Sequence, residues 1–324
     1  MSESVSEVPK APDTPGAVPG AVATPVAPVA GAPVGLGAGG GRARRQSDFL
    51  YYGLRNKKLV FGLTLELLLL LLAIIGPIIA KYPDQAYTGF PTQHPGSKFW
   101  FGTTDAGQDV FAQVVNGLRE SYLVGLIGAV SAAAIGMALG FIAGWRGGIL
   151  DEVLQMLTNI IVMMPALVLI IVIGSYLSHP NLLFEGVFIG LTTWPWVARA
   201  VRAQTFTLRS REFVDLAKLS GKRPVSIIVK EIAPNMASYL FLVVVLLFGS
   251  SMLLAASYDF LGVGPTNQVT LGWIMQQASN EAALQLHYWW WFIPPGALLT
   301  AMVAALLVAN VGLDEVFNPK LREQ

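Results

Sequence analysis

Six apolar stretches, each long enough to cross a bilayer as a helix, constrain this chain more than any other feature. They fall at residues 59–80, 121–144, 152–177, 184–203, 236–257 and 289–312, and a hydrocarbon core about 30 Å thick takes roughly 20 helical residues. In lipid the backbone must satisfy its own hydrogen bonds, so the expected fold is an all-α membrane protein with six transmembrane helices. Composition agrees, because 13% charged residues is about half the roughly 25% of a soluble domain. Two polar segments, 81–120 and 258–288, are rich in Gly, Pro, Asn and Gln and are expected to face water.

The basic residues set the orientation, since Lys and Arg near span ends favour the cytoplasmic side. Arg55, Lys57 and Lys58 precede the first stretch, Arg146 follows the second, a cluster runs from Arg199 to Lys230, and Lys320 and Arg322 follow the last. The long polar loops on the other side hold only Lys81, Lys98 and Arg119. Both termini are therefore predicted to be cytoplasmic, in a multi-pass protein of the cell membrane. Trp289, Trp290 and Trp291 at the outer end of the last stretch fit an interfacial aromatic belt. Residues 1–47 form an Ala/Pro/Gly/Val tract ending in Arg42, Arg44 and Arg45, too poor in large apolar side chains to repay the entropy of ordering. It reads as a disordered cytoplasmic tail. It does not read as a secretory signal, because the basic cluster follows the small residues. Gly35, Gly37 and Gly40 match a dinucleotide fingerprint only by chance, with no strand before them.

Within the membrane, Gly136, Gly140 and Gly144, extended by Gly128 and Ala132, give the second stretch a face almost free of side chains. Such a face lets backbones approach closely, within the bundle or with a partner, and alternatively could line a solute path. Pro165 inside the third stretch is expected to kink it. Glu66 is the one clear ionisable residue in a span, near enough to Lys57 and Lys58 for an interfacial role. With so little buried charge the sequence shows no proton relay, so the energy source is expected to lie elsewhere. There is no cysteine, which removes disulfides, thiolate metal sites and cysteine nucleophiles. His94, His179 and His287 have no metal-ligand spacing.

The cytoplasmic run from Arg199 to Asn235 carries Arg199, Arg202, Arg209, Arg211, Lys218, Lys222, Arg223 and Lys230 among amphipathic apolar positions. It could simply fix topology or touch anionic lipid. Residues 212–220, however, form a short helical pattern with Glu212 and Asp215 on its polar side. Gly221 supplies a C-terminal stop, Pro224 prevents continuation, and a second amphipathic stretch ends at Pro234. A helix-turn-helix held between two spans could pass a push from a cytoplasmic partner into the membrane.

This segment resembles the EAA loop of ATP-binding-cassette importer permeases, with Asp215, Leu216, Ala217 and Gly221 in its first part and Ile232, Ala233 and Pro234 in its second. It departs from that consensus by Asp for Glu, Leu for Ala and Ala for Leu. Two outer segments narrow the resemblance to the second permease subunit of dipeptide and oligopeptide importers. One is the run from Phe101 to Phe111, with Gly102, Asp105, Gly107 and Asp109, one extra Thr, and Gln108 where that family has Arg. The other is Tyr258 to Gly264, with Phe260, Leu261, Gly262 and Gly264, followed by Gly272, Trp273, Pro295, Gly296 and the closing Asn318 to Arg322.

The resemblance covers residues from about 50 onward and implies a type I importer permease domain over 48–324, with its loop at about 205–235. It also implies a homologous permease as heterodimer partner, two cytoplasmic ATPases and an extracytoplasmic solute-binding protein. Glu212, Asp215, Leu216, Ala217, Lys218, Gly221 and Pro234 would then sit at or beside the ATPase contact. ATP and magnesium would belong to the ATPases, and the chain itself would bind no cofactor, no metal and no nucleic acid. It has no phosphate-binding loop, since Arg223 follows Gly221 and Lys222, and Leu216 stands where the first glycine should be. Peptides are the expected solute, with oligosaccharides or metal complexes as the alternative. A secondary transporter would predict inverted repeats and mid-membrane charge. A serine hydrolase built on Ser250 or Ser251 lacks a histidine within a span. Neither feature is present in the sequence.

Overall fold

The computed structural model describes residues 52–174, 176, 181–265 and 267–317; the tract 1–47, His179 and the closing run 318–322 lie outside them. The helices are α1 (Lys57–Ile79), α2 (Val110–Arg146), α3 (Gly148–Met163), α4 (Ala166–Gly174), α5 (Leu182–Arg209), α6 (Glu212–Leu219), α7 (Pro224–Ile227), α8 (Ala233–Asn235), α9 (Ala237–Phe260), α10 (Leu271–Asn280) and α11 (Trp289–Phe317), with a π-helical turn at Ile228–Ile232. Among the described residues β-structure is confined to two isolated bridges, Tyr87 with Gln108 and Thr103 with Asp109.

Four helices, α1, α2, α9 and α11, are long and apolar enough to cross a membrane, and α3 with α4 makes a fifth candidate bent by 79°. The bend falls at Met164 and Pro165. Proline cannot donate the next helical hydrogen bond and its ring clashes with the preceding turn, so the expected kink becomes a break. Over the fourth apolar stretch, α5 is helical for 28 residues, but Glu185, Arg199, Arg202 and Arg209 keep it outside that group of apolar helices.

Helix α2 starts earlier than its apolar stretch. Asp109 caps it by accepting the Phe111 N–H at 3.0 Å, and its 37 residues span roughly 55 Å at 1.5 Å per residue. The part read as a water-facing loop, 110–120, is largely buried: Val110, Ala112, Val114, Val115 and Leu118 are enclosed, with Val110, Val114 and Leu118 packed among α1, α10 and α11 and Val115 against Gly76 of α1. Likewise the second polar segment contains α10, whose N-cap Thr270 accepts the Trp273 N–H at 3.1 Å.

The central contact is α2 against α5, running parallel. A Cβ on Gly136 would lie 2.5 Å from Cβ of Val197, one on Gly140 2.8 Å from Cβ of Val201, and one on Gly144 2.7 Å from Cβ of Thr205. The small face reads in both directions, because Gly186 of α5 sits against Ile127 of α2 and Gly190 against Ser131. The glycine stripe thus serves packing within the chain. Nearer the start of α2, Gly125 receives Met252 of α9, and Gly128 lies between Ser251 of α9 and Ile189 of α5. Helix α1 uses the same device against α11: a Cβ on Gly62 would stand 2.5 Å from the Ala309 nitrogen, and one on Gly312 2.5 Å from the Leu59 nitrogen.

Three expectations change. Trp290 and Trp291 are 1% and 3% exposed against 51% for Trp289, so one tryptophan of the three faces outward. Consecutive helical positions are about 100° apart, and three of them cannot share one face. Lys58 pairs with Glu315 of α11, and Asn56 both accepts the Leu59 N–H and donates to Glu315 at 2.7 Å. The start of α1 is therefore tied to the end of α11. Glu66 is also not the only enclosed acid, because Glu185 and Asp259 are each 2% exposed. They occupy the first turn of α5 and the last turn of α9; Asp259 falls in the segment expected to face water, and Glu185 falls within the fourth apolar stretch. Gly264 and Gly272 allow the chain after α9 to close directly over Asp259, whose carboxylate accepts the Thr270 hydroxyl.

Gly140→Leu is expected to push α2 off α5 and to cost about 1–3 kcal/mol, the range for overpacking a close contact. A lowered thermal midpoint in detergent checks this, and an unchanged midpoint would contradict the packing.

Candidate functional site: the basic end of the bundle and its opposite cap

The antiparallel pairing of α1 with α11 and the parallel run of α2 with α5 gather the start of α1, the ends of α2, α5 and α11, and all of α6 at one end. Lys57, Lys58, Arg146, Arg199, Arg202, Arg209, Arg211, Lys218, Lys222, Arg223 and Lys230 lie there. The loop 81–109, α10 and the start of α11 form the other end.

At the basic end the loop is a two-limbed elbow. Helix α6 ends in a Schellman motif, with the Gly221 N–H on the Lys218 carbonyl at 2.9 Å and the Lys222 N–H on the Ala217 carbonyl at 3.2 Å. Gly221 has φ +73 with open space around a would-be Cβ, so backbone conformation alone demands glycine there. Pro224 opens α7 at its first turn, where a missing N–H costs nothing. The second limb passes through the π turn, closed by the Ala233 N–H on the Ile228 carbonyl, and reaches Pro234. Lys222 pairs with Glu231 at 2.6 Å and fastens the turn to that limb.

The inner face of α6, Val214 and Ala217, is buried in one apolar cluster with Ile227 and Ile232 of the second limb, Val197 and Val201 of α5, and Ala129, Ala132 and Ala133 of α2. Of the residues expected at a partner contact, Glu212, Asp215, Leu216, Lys218, Gly221 and Pro234 face outward, whereas Ala217 is a packing residue. Asp215 and Lys218 pair at 2.9 Å. The outward face is only partly polar, since Leu216 and Leu219 are 65% and 86% exposed.

The cap at the other end is held by buried threonines that sequence reasoning passed over. The Thr103 hydroxyl donates to the Phe90 carbonyl at 2.7 Å and accepts the Gln93 N–H at 2.8 Å. The Thr104 carbonyl accepts the Thr92 N–H at 2.8 Å. Trp290 donates its indole N–H to the Thr103 carbonyl at 3.2 Å, and the His94 ring lies 4.5 Å from it. Gly102 and Gly107 both have positive φ and lie against Trp290 and the Gly89 carbonyl. Asp105 is exposed and Asp109 is buried. Burial pushes the Asp109 carboxyl above its ordinary range, opposed by the backbone N–H groups of Phe111 and Ala112 and by Lys81. Gly262, at φ +78, turns the chain after α9 while Phe260 and Leu261 remain exposed. A threonine pair flanked by glycines, 103–104, was the available signal for this cap.

The two groups of signature residues thus stand at opposite ends of one helical bundle, one able to dock a partner on a rigid elbow and the other a closed cap. Among the described residues the bundle is all-helical, with four helices, or five counting the bent pair, long and apolar enough to cross a membrane, which defines the class as a helical membrane protein. Residues 136–323, more than half of the chain, match the family described as binding-protein-dependent transport system inner membrane component, and the chain belongs to that family. It is 30% identical over 272 residues to the oligopeptide transport system permease protein OppC of Bacillus subtilis, covering 83% of this chain and 87% of that protein. It is 32% identical to OppC of Mycobacterium tuberculosis over 71% of this chain and 80% of that protein. The dipeptide transport system permease protein DppC of Alkalihalophilus pseudofirmus is 32% identical over 65% of this chain and 69% of its own length. The chain is a multi-pass protein of the cell membrane.

Two outcomes follow from this geometry. Trp290→Ala removes a fully buried ring and its hydrogen bond, a change expected to cost about 3–5 kcal/mol. Faster amide exchange in residues 88–104 checks whether the cap is what loosens. Gly221→Val forces a β-branched residue to φ +73, at a cost of about 1–3 kcal/mol, and is expected to expose the turn at Lys218–Lys222 to trypsin while the spans stay intact.

Proposed function

We propose that this chain is one of two permease subunits of an ATP-driven importer and forms half of the translocation path for peptides. In this reading six segments cross the membrane, α5 being the fourth, with the basic end and both termini in the cytoplasm. Residues 48–324 then form the permease domain and residues 1–47 a cytoplasmic tail. The single observation that carries the reading is α6, a short helix stopped by Gly221 and presented on a rigid elbow at the basic end. Two cytoplasmic ATPases would supply ATP and magnesium, and this chain would receive one power stroke through Glu212, Asp215, Leu216, Lys218 and Gly221. A solute-binding protein would deliver cargo at the end capped by residues 81–109. Peptides are favoured because the curated relatives are named as oligopeptide and dipeptide transport permeases.

The test is to tag the chain, extract it in mild detergent and identify every co-purifying protein by mass spectrometry. A second permease and ATPases with phosphate-binding loops are expected, lost on replacing residues 212–221. Gly221→Trp and Asp215→Arg are expected to leave insertion intact while separating ATP hydrolysis from peptide uptake. Coupled uptake in both variants would sink the assignment of this loop.

A further inference from the structure

Helix α3 is poorly held by its own chain. Thr158 is its one buried residue, and Ile149, Val153, Met156, Ile160 and Met163 are 80%, 51%, 59%, 45% and 80% exposed. Apolar packing within the chain therefore cannot fix how it sits on α5. Polar contacts do so instead. The Arg202 guanidinium takes both carboxylate oxygens of Asp151, and Arg199 donates to the Asn159 side-chain carbonyl at 2.8 Å. Arg199 and Arg202 are three apart, on one face of α5. Asp151 and Asn159 are separated by roughly 12 Å of helical rise. Two anchor points that far apart resist both sliding and rotation. The fork-to-fork geometry of Arg with a carboxylate adds direction as well as attraction, and side-chain exposures of 32% and 14% for Arg202 and Asp151 limit screening by water.

The same helix is tied to the loop. Arg209, in the last turn of α5, donates to the Trp145 carbonyl of α2 at 2.7 Å. Lys218 of α6 lies 5.7 Å over the Trp145 ring and 3.4 Å from the Arg209 carbonyl. Between α2 and α3 stands only Gly147, at φ +67, and Gly148 opens α3 at φ +62 with open space around it. That joint constrains α3 little.

We propose that Arg202 and Arg199 are positioning residues that clasp Asp151 and Asn159, so that the broken helix α3–α4 travels with α5 when the loop after α5 is displaced. The clasp makes α5 the common carrier of the loop and of the break at Pro165. Its role in transport rests on the importer reading, but the clasp itself can be tested apart from it.

The chain has no cysteine, so spin labels can be placed on Met163→Cys at the end of α3 and Thr207→Cys near the end of α5. The full complex in detergent, with and without a non-hydrolysable ATP analogue and magnesium, is expected to give one narrow label distance that nucleotide does not shift. Asp151→Asn and Arg202→Met are each expected to lose that narrow distance and to make it nucleotide-dependent. The charge swap Asp151→Arg with Arg202→Asp is expected to restore it. A single variant that stays narrow, or an unmodified clasp whose distance shifts with nucleotide, overturns the proposal. If the single variants do not assemble, the swap decides, a narrow distance supporting the clasp and a broad one overturning it. Absence of co-purifying ATPases would sink the importer reading alone, and the nucleotide-free distances would still decide the clasp.

Discussion

Everything in this molecule hangs on how closely α2 and α5 approach. Lipid supplies no hydrophobic drive to bring two apolar helices together, so their association rests on packing and on whatever lets backbones come near. Here both helices contribute small residues in succession: Gly186 and Gly190 of α5 receive Ile127 and Ser131, while Gly136, Gly140 and Gly144 of α2 receive Val197, Val201 and Thr205. The offset between partners stays nearly constant along the contact, which fixes the register. Since α5 leads directly into the elbow at the basic end, the position of that elbow is set by the glycine face, whose last contact, Gly144 with Thr205, falls just before α5 ends at Arg209.

The two ends are then finished in different ways. At the cap, backbone carbonyls and the Thr103 hydroxyl close an irregular segment on itself, and one indole N–H fastens it to α11. At the basic end the connections are ionic and long-armed, as in Lys58 with Glu315, Arg202 with Asp151, and Lys222 with Glu231. The difference suits a molecule that is closed at one end and handled at the other.

Much of this was legible because period and punctuation are local properties. The glycine spacing, Pro165, the Asp215 to Gly221 stop and the Pro224 start each act within one helical turn, and each appears where the sequence puts it. What was not legible depends on neighbours distant in the chain. Ala217 belongs to the family pattern of the loop but faces inward, because α6 must bury one side in the apolar cluster that it shares with α2, α5 and α7. Trp290 looked interfacial until the segment 88–104 folded over it. Asp259 belonged to a segment expected to face water, and the close approach of Gly264 and Gly272 encloses it. Long-range closure of this kind leaves almost no trace in composition, although small residues at the points of contact are a partial sign.

The shortness of α6 matters for what the elbow can transmit. Eight residues are too few for a helix to persist alone in water, since isolated helices below about 12–15 residues are marginal. Its shape is therefore borrowed from the glycine stop, the proline start of the next limb, the Lys222–Glu231 pair and the burial of Val214 and Ala217. Those supports belong to the elbow itself and to the apolar cluster that it shares with α2, α5 and α9, with Lys218 also lying over the Trp145 ring of α2. A force on the outer face of α6 consequently either unfolds the elbow or moves the helices of that cluster, α5 among them. Because α5 is locked to α2 by the glycine contact, that movement reaches the core of the bundle without any residue of α6 entering the membrane.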